Sequence, residues 1–410
     1  MGRRLLLATT LTVLAVGLAG CDGAATEEAA PTATSSPSAT TDASVPPTPD
    51  EATSPSAPMP LGPDGRPFVV QEVTTFDAPW AMAFLPDGER ALVTERTGRM
   101  HVVDTTTGEH SEVDGLPAVV VGGQGGLGDV MPSPTYADDG LVYLSWVERG
   151  DGGTGAVVGR ARLVLDGDAP RLEGLETIWR QVPKTSGSGH FSHRLAFSPD
   201  GRHLFVSSGD RQRFDPAQDL ADNLGSIVRL DPDGTPAADN PFADRGGVTA
   251  EIWSYGHRNV LGLAFAPDGR LWSSEMGPRG GDEVNLVEPG ANYGWPEASN
   301  GSHYDGRSIP DHAAGDGFTA PLVWWTPSIS PGSLMVYSGD LFPGWQGDAL
   351  LGALSGQALV RVDLDGATAT KADQWDMGQR IREVEQGPDG AVWLLEDAGA
   401  GRVLRLVPPS

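Results

Sequence analysis

Leu195-Ala-Phe-Ser-Pro-Asp-Gly201, followed by His203-Leu-Phe-Val-Ser207, is the stretch that decides the fold of this 410-residue chain. Two apolar segments flank a Pro-Asp-Gly turn, in which proline presets the backbone φ angle and glycine accepts a positive one. Alternation of this kind predicts a β-hairpin, two antiparallel strands joined by a tight turn.

The same strand–turn–strand pattern recurs along the chain. Three close copies have Pro-Asp-Gly at residues 86–88, 267–269 and 388–390, and two looser copies lie at 136–140 and 345–348. Six copies of one hairpin indicate one sheet per repeat, arranged around an axis, rather than a β-sandwich. The sequence therefore predicts an all-β fold, a six-bladed β-propeller of four-stranded antiparallel sheets over residues 68–410.

Composition agrees with many short strands and argues against one class of partner. The chain contains 55 Gly and 34 Pro, which favours frequent turns, and 11 Trp, which can fill a large core. Its formal net charge is −27. Such a surface repels phosphate backbones, so we expect no nucleic-acid partner.

The N-terminus predicts export. Arg3 and Arg4 precede an apolar run that ends at Gly20, which is the pattern of a signal peptide over residues 1–20. Leu18-Ala-Gly-Cys21 resembles the bacterial lipobox, in which the cysteine is acylated; the alternative is a plain signal peptide with an incidental cysteine. Cys21 is the only cysteine, so no intrachain disulfide forms. We expect an extracytoplasmic lipoprotein, held at the bacterial membrane by this lipid anchor alone.

Residues 21–67 read as a disordered tether. The segment is rich in Ala, Thr, Ser and Pro and contains few large apolar side chains. Such a composition buries too little surface to offset the entropy of ordering.

One glycine-loosened loop carries a candidate catalytic base. His190 lies in Ser186-Gly-Ser-Gly-His190, where we expect an accessible ring, and Asp210 in Ser208-Gly-Asp210 is a candidate to fix its tautomer. Arg194, on the strand that follows, adds a guanidinium to the same segment, which suits proton abstraction beside developing negative charge. The alternatives are a loop histidine without a role, and His193 as the base.

Two further arginine groups lie next to turn-rich segments. Arg258 and Asn259 follow Tyr255-Gly-His, and Arg380 and Arg382 alternate about Ile381, so both point to one face of a strand. Paired arginines suit a carboxylate-bearing ligand. The alternative is pairing with the abundant Asp and Glu of this chain.

The loop Met276-Gly-Pro-Arg-Gly-Gly-Asp-Glu283 offers carbonyl and carboxylate oxygens in a kinked backbone, which suits Ca²⁺ although EF-hand spacing is absent. The sequence has no Cys pair or His-x₃-His for zinc, no nucleophile elbow and no phosphate-binding glycine loop.

Together these segments resemble the soluble glucose and aldose sugar dehydrogenases that depend on pyrroloquinoline quinone (PQQ), which are six-bladed propellers. The most specific stretch is Tyr255-Gly-His-Arg-Asn-Val-Leu-Gly-Leu-Ala-Phe265, continued by Ser274-Glu-Met-Gly-Pro278, Asp282-Glu-Val-Asn-Leu286 and Asn292-Tyr-Gly-Trp-Pro296. The resemblance implies oxidation of an aldose at C1 to the lactone, with PQQ and Ca²⁺ as cofactors and a quinone or dye as external electron acceptor.

The resemblance also implies roles for individual residues. His190 would be the base, oriented by Asp210, and Arg258 would stabilise negative charge. The PQQ-contacting set would be Gln124, Arg258, Asn259, Tyr304, Ala353, Leu354, Ser355, Arg380, Ile381 and Arg382. The carbonyls of Gly277 and Pro278 would hold the cofactor's Ca²⁺, and Glu283 and Tyr293 a further calcium ion.

This chain departs from the family at two positions. Leu261 stands where the glucose enzyme has a glutamine, and Ser355 stands where the family usually has a lysine. An alternative of a different class is a non-enzymatic surface propeller that binds a glycan or a protein, and a third is a propeller lactonase.

Overall fold

The computed structural model describes residues 60–167 and 169–409. The predicted signal peptide, the lipidation site Cys21 and residues 21–59 of the predicted tether lie outside the described residues. Residues 62–66 form a turn, and the Arg66 guanidinium lies over the ring of Phe68. Within the described ranges no helix is long and apolar enough to cross a bilayer.

Six four-stranded antiparallel sheets make up the described chain, so the predicted six-bladed propeller is confirmed. We number the blades 1 to 6 in chain order of their innermost strands. These innermost strands contact one another around the ring, and that of blade 6 contacts that of blade 1. In blades 1 to 5 the four strands follow each other outward in sequence order.

The strands of each blade, from the innermost outward, are as follows: blade 1, Pro79–Phe84, Arg90–Glu95, Arg99–Asp104 and His110–Glu112; blade 2, Leu127–Pro132, Leu141–Gly150, Gly153–Val164 and Arg171–Arg180; blade 3, Ser192–Phe197, Leu204–Ser208, Ser226–Leu230 and Ile252–Tyr255; blade 4, Val260–Phe265, Leu271–Glu275, Asp282–Val287 and Val323–Trp325; blade 5, Pro331–Val336, Ala349–Ala353, Ala358–Asp365 and Thr368–Asp376; blade 6, Ile381–Gln386, Val392–Glu396, Gly401–Val407 and Val69–Phe76.

The remaining elements are short. Arg279–Gly280 pairs with Gly301–Ser302, and one α-helical turn spans Tyr136–Asp139. The 3₁₀ turns are Asp215–Gln218, Ala243–Arg245, Gly247–Glu251 and Pro343–Trp345.

Each predicted hairpin joins the first and second strands of one blade. In the Pro-Asp-Gly copies the glycine has a positive φ, for example 69° at Gly201, and its N–H closes the turn on the carbonyl three residues before. The aspartate adds a side-chain bond: Asp200 Oδ1 accepts from the backbone N–H of Arg202 at 3.1 Å. All these turns therefore lie at one end of the propeller.

The opposite end carries the functional loops. Because adjacent strands are antiparallel, each innermost strand begins where the second strand of its blade ends. Residues that precede innermost strands and residues that follow second strands thus meet at one mouth of the channel.

The ring closes through strands from both ends of the described chain. Val69–Phe76 is the outermost strand of blade 6 and pairs with Gly401–Val407. Six buried apolar clusters hold neighbouring blades together, one at each of the six blade interfaces. This packing makes the mouth a rigid frame for the loops.

Candidate active site at one mouth of the propeller

A histidine–aspartate pair occupies this mouth. His190 precedes the innermost strand of blade 3 and Asp210 follows the second strand of the same blade, and their Nδ1 and Oδ1 atoms are 2.7 Å apart. Asp210 also accepts from the indole N–H of Trp295 at 2.8 Å and from the backbone N–H of Gln212 at 2.8 Å. The carboxylate therefore accepts a hydrogen bond from Nδ1–H of His190, which leaves Nε2 as the basic nitrogen.

The two segments approach closely because Gly209 has no side chain. A Cβ atom at this position would lie 2.2 Å from the carbonyl oxygen of His190. His190 itself has a φ of 48°, and Arg211 on the facing segment has 53°. Positive φ values are uncommon for such residues, so surrounding contacts hold this backbone in place.

Arg211 supplies several of those contacts. Its guanidinium donates to the carbonyls of Gly189, Thr154 and Gly187, and stacks 3.7 Å over the ring of Phe191. Burial lowers the pKa of Arg211 to about 10, so it stays charged at neutral pH.

The environment keeps His190 neutral. Burial lowers its pKa below the usual 6.5, and the positive charge of Arg258 acts in the same direction, whereas the hydrogen bond that His190 donates to Asp210 raises it. Burial alone would raise the pKa of Asp210, but the hydrogen bond with His190 brings it below its usual value. A neutral imidazole beside an ionised carboxylate is the protonation state that a general base requires.

Arg258 and Asn259 precede the innermost strand of blade 4. Arg258 donates to the carbonyls of Met276 and Gly277, at 2.8 and 2.7 Å, and to the Tyr304 hydroxyl at 3.2 Å. The buried Nε of Arg258 and Nδ2 of Asn259 have no hydrogen-bond partner among the described residues. Unsatisfied buried donors are costly, so these atoms indicate the place of an oxygen-bearing ligand.

Arg380 and Arg382 reach the same mouth from blade 6. As predicted they share a face, and both bond to one carboxylate, that of Asp397, at 2.7 and 3.2 Å. The arginines therefore do pair with an acidic residue, which was the alternative. However, two guanidiniums share one carboxylate, and the buried Nε of Arg382 has no partner in the described chain. Ile381 faces away into the core between blades 5 and 6.

Two adjoining cavities, of about 570 and 760 Å³, receive most of the predicted site residues. Gln124 lines both, and its Oε1 accepts from the backbone N–H of His190 at 2.7 Å. The first cavity also contains Leu354, Arg380 and Arg382; the second contains His190, Arg258, Gly277, Pro278, Tyr304 and Ser355.

Not every predicted contact residue presents its side chain there. Ala353 is fully buried in the core between blades 4 and 5, because it ends a strand whose alternate side chains point inward. Tyr304 is 71% exposed and forms part of the rim. Leu261 contributes to an apolar floor with Trp80 and Met276.

A pair of buried carboxylates lies behind Arg258. Glu283 and Glu275 border a void of about 10 Å³, the room of one water-sized particle. Burial, and then the charge of Glu275, raises the pKa of Glu283 well above its usual value. Tyr293 borders the same void, but its hydroxyl is engaged with the Leu286 carbonyl and the Glu288 N–H.

Two expectations about the base segment are wrong. The His190 side chain is only 7% exposed and reaches open space only where it lines the second cavity; its Nδ1 bonds to Asp210, which Trp295 bonds in turn. Arg194 does not lie beside it, since the strand carries Arg194 down the channel to Glu383 and Asp129.

His193 is fully buried. It bonds through Nδ1 to the Ser145 hydroxyl at 2.7 Å and stacks on Trp80, and burial lowers its pKa to about 3. It is a structural neighbour of the site.

Two functional positions were missed by the sequence reasoning. Trp295 supplies the second donor to Asp210. Glu275 accepts from the backbone N–H of Arg258 at 2.7 Å and from His257 at 3.0 Å, which fixes the Arg258–Asn259 segment. Both lie in quoted motif segments, but no local pattern shows that they reach Asp210 or Arg258.

Comparison with known proteins shows to which family the chain belongs. The family model for glucose/sorbosone dehydrogenase matches residues 76–405. The chain is similar to aldose sugar dehydrogenase YliI of Escherichia coli (strain K12), with 40% identity over 339 residues, covering 81% of this chain and 90% of that protein. It is also similar to quinoprotein glucose dehydrogenase B of Acinetobacter calcoaceticus, with 26% identity over 413 residues, covering 81% and 85% of the two chains.

A solved structure extends the likeness to three dimensions. The PQQ-bound form of aldose sugar dehydrogenase from Streptomyces coelicolor matches with a TM-score of 0.71 and 30% identity, covering 83% of this chain and 98% of that one. With a family model that spans all six blades and a relative 40% identical, the chain belongs to the glucose/sorbosone dehydrogenase family.

Proposed function

We propose that this protein oxidises the C1 hydroxyl of an aldose to the lactone, with PQQ and Ca²⁺ as cofactors. Membership of its family makes the chain a PQQ-dependent sugar dehydrogenase, and favours an enzyme over a surface propeller that only binds. The observation that carries the proposal is the buried His190–Asp210 pair, which faces a cavity shared with Arg258.

The residues present fit an anionic quinone. Three buried donors at the mouth, on Arg258, Asn259 and Arg382, have no partner in the described chain. Arg380 and Arg382 share one carboxylate, so each retains donors for a ligand carboxylate. PQQ, when bound, would supply an ortho-quinone that accepts hydride from the sugar.

The chain's own part in the reaction is proton transfer and positioning. Nε2 of His190 takes the proton of the C1 hydroxyl, and Asp210 stabilises the imidazolium that forms. Arg258 places positive charge beside the reacting atoms, where charge develops in the transition state.

Two places are proposed for Ca²⁺. The Gly277 carbonyl accepts from Arg258, so an ion at Gly277 and Pro278 must share that oxygen with the guanidinium or displace it. The Glu275–Glu283 void is the better fit, because a cation there relieves the repulsion of two buried carboxylates. The region of the chain that is described has no cluster of three or more His, Cys, Asp or Glu poised for a metal, so carbonyl oxygens must complete either site.

The proposal also includes an electron acceptor and a location for the enzyme. A quinone or dye-like acceptor would remove the electrons, and the signal sequence with Cys21 would place the enzyme outside the cytoplasm on a lipid anchor. Export with radiolabelled palmitate, comparing the protein with its Cys21→Ala variant, tests the anchor.

The central test is reconstitution. Apoprotein is incubated with PQQ and Ca²⁺ separately and together, and dye reduction is followed with a panel of aldoses. We expect activity only with both cofactors, and loss of turnover but not of PQQ binding in His190→Ala. Absence of activity on every aldose, with no change in PQQ absorbance, contradicts the proposal.

A further inference from the structure

We propose that Arg96 is an additional cofactor-binding residue, which binds a carboxylate of the quinone and supplies positive charge that the family usually obtains from a lysine at the position of Ser355. This inference rests on the proposed function, and it assigns a residue that the family resemblance did not.

Arg96 lies at the functional mouth. It directly follows the second strand of blade 1, Arg90–Glu95, and lines the 570 Å³ cavity together with Arg380 and Arg382. One of its terminal N–H groups donates to the Gly123 carbonyl at 2.8 Å, next to Gln124. The guanidinium is thus tied to the loop that also holds the backbone of His190.

The backbone around Arg96 connects it to the arginine pair of blade 6. Its N–H donates to the Ala78 carbonyl, and the Ala78 N–H donates to the Ala398 carbonyl, beside Asp397. Asp397 is the carboxylate shared by Arg380 and Arg382. Arg96 therefore stands beside this pair, on the neighbouring blade of the same cavity.

The charge of Arg96 is uncompensated within the described chain. Arg99, three residues later, pairs with Glu95 and with Asp77, which also lines this cavity. Arg96 forms no salt bridge with any described residue, although acidic residues outnumber basic ones 55 to 28. A guanidinium that lines a cavity and lacks a carboxylate in so acidic a chain is suited to an anion from outside.

Ser355 leaves the adjoining cavity without the positive charge of the lysine that the family usually has at this position. Its hydroxyl bonds to the Ser330 hydroxyl at 2.8 Å and lines the adjoining cavity without contributing charge. Arg96 places a cation on the wall of the first of the two cavities. Because its guanidinium is planar, it can bind a carboxylate through two parallel hydrogen bonds.

The test is a binding titration of the full-length apoprotein in Ca²⁺ buffer, followed by PQQ absorbance, with PQQ and with its uncharged trimethyl ester. Variants are Arg96→Gln, Arg96→Lys and the matched control Arg162→Gln, which removes an exposed arginine at the hairpin end of blade 2. We expect Arg96→Gln to weaken PQQ binding by about ten- to a hundredfold, the usual worth of a charge-assisted hydrogen bond. The PQQ affinity of Arg96→Lys should lie between those of Arg96→Gln and the unaltered protein. The affinity of Arg162→Gln should match that of the unaltered protein.

The ester separates contact from structure. If Arg96 binds a carboxylate, Arg96→Gln changes ester affinity by less than about threefold, since the ester offers no charge for the arginine to meet. Equal losses for PQQ and ester show that Arg96 only shapes the Gly123–Gln124 loop, and unchanged PQQ binding shows that it makes no contact; either result overturns the inference alone. No PQQ binding by the unaltered protein overturns the proposed function and this inference with it.

Discussion

Replacement of Asp210 by asparagine is the sharpest test of the His190 assignment, because the exchange keeps the shape of the side chain and removes one acceptor. Asp210 receives three donors: His190 Nδ1 and the Gln212 N–H on one oxygen, and the Trp295 N–H on the other. Asparagine has a single oxygen, so it cannot satisfy all three.

Either orientation of the amide is costly. If its oxygen faces His190, its NH₂ opposes the Trp295 N–H. A buried donor is then left without a partner, which lowers the free energy of unfolding by about 1–3 kcal/mol. If it is flipped, its NH₂ faces Nδ1 of His190, which moves the imidazole proton to Nε2 and abolishes the base. In both cases the charge that stabilises the imidazolium is gone, so we expect kcat to fall by about 10²- to 10⁴-fold.

The assay is dye-linked turnover of the reconstituted enzyme across pH, beside thermal unfolding and PQQ absorbance. Asp200→Asn, at the exposed hairpin turn of the same blade, is the matched control and should keep full turnover. Because the hydrogen bond that His190 donates to Asp210 raises the pKa of His190, its loss should move the acid limb of kcat/KM to lower pH. A kcat within about threefold of the unaltered enzyme, with the same pH profile, would refute a general base oriented by Asp210.

Three other perturbations follow from the same geometry. Because burial holds the pKa of His190 below 6.5, kcat/KM of the unaltered enzyme should stay level as pH falls to 6.5 and decline only below it; a decline that begins above pH 7 would assign the limb to another group. Gly209→Ala places a Cβ 2.2 Å from the His190 carbonyl and should lower kcat by about a hundredfold, whereas Gly122→Ala, which meets nothing within 4 Å, should not; equal kcat values would show that the two segments can separate freely. The pKa of Glu283 is raised, so this residue destabilises the metal-free fold progressively as the pH rises above 4.5, the ordinary pKa of a glutamate. Glu283→Gln should therefore raise the Tm of the Ca²⁺-free protein at pH 8, and less so near pH 5. The same variant should abolish the rise in Tm that Ca²⁺ causes, and an undiminished rise would exclude Glu283 as a ligand.

The fold was predictable because its signal is local and repeated. Pro-Asp-Gly presets the same turn wherever it occurs, and each copy joins the two inner strands of one blade. Antiparallel order then assigns the loops before and after these strands to the other end of the channel. The His190–Asp210 contact follows from that assignment, since both residues adjoin the inner strands of blade 3.

Contacts between blades were not predictable in the same way. Arg194 follows His190 by only four residues, yet its partner Glu383 is on blade 6. Neither segment contains a sequence pattern that predicts this pairing. Asp210, which bonds to His190, is itself bonded by Trp295, 85 residues further along the chain. Such contacts form only when the blades come together in the ring, so local sequence patterns do not predict them.

Closure of the ring also sets an order of events during folding. The strand Val69–Phe76 is synthesised before any other strand of the described chain, but its only hydrogen-bonded neighbour, Gly401–Val407, is synthesised last. Until that partner exists, the early strand is an unpaired edge, open to pairing with another chain. Arg380 and Arg382, also in blade 6, are made nearly as late. A chain cut short in its final blade would therefore lack both the strand that closes the ring and the arginines that line the 570 Å³ cavity, so the fold and this cavity are completed together.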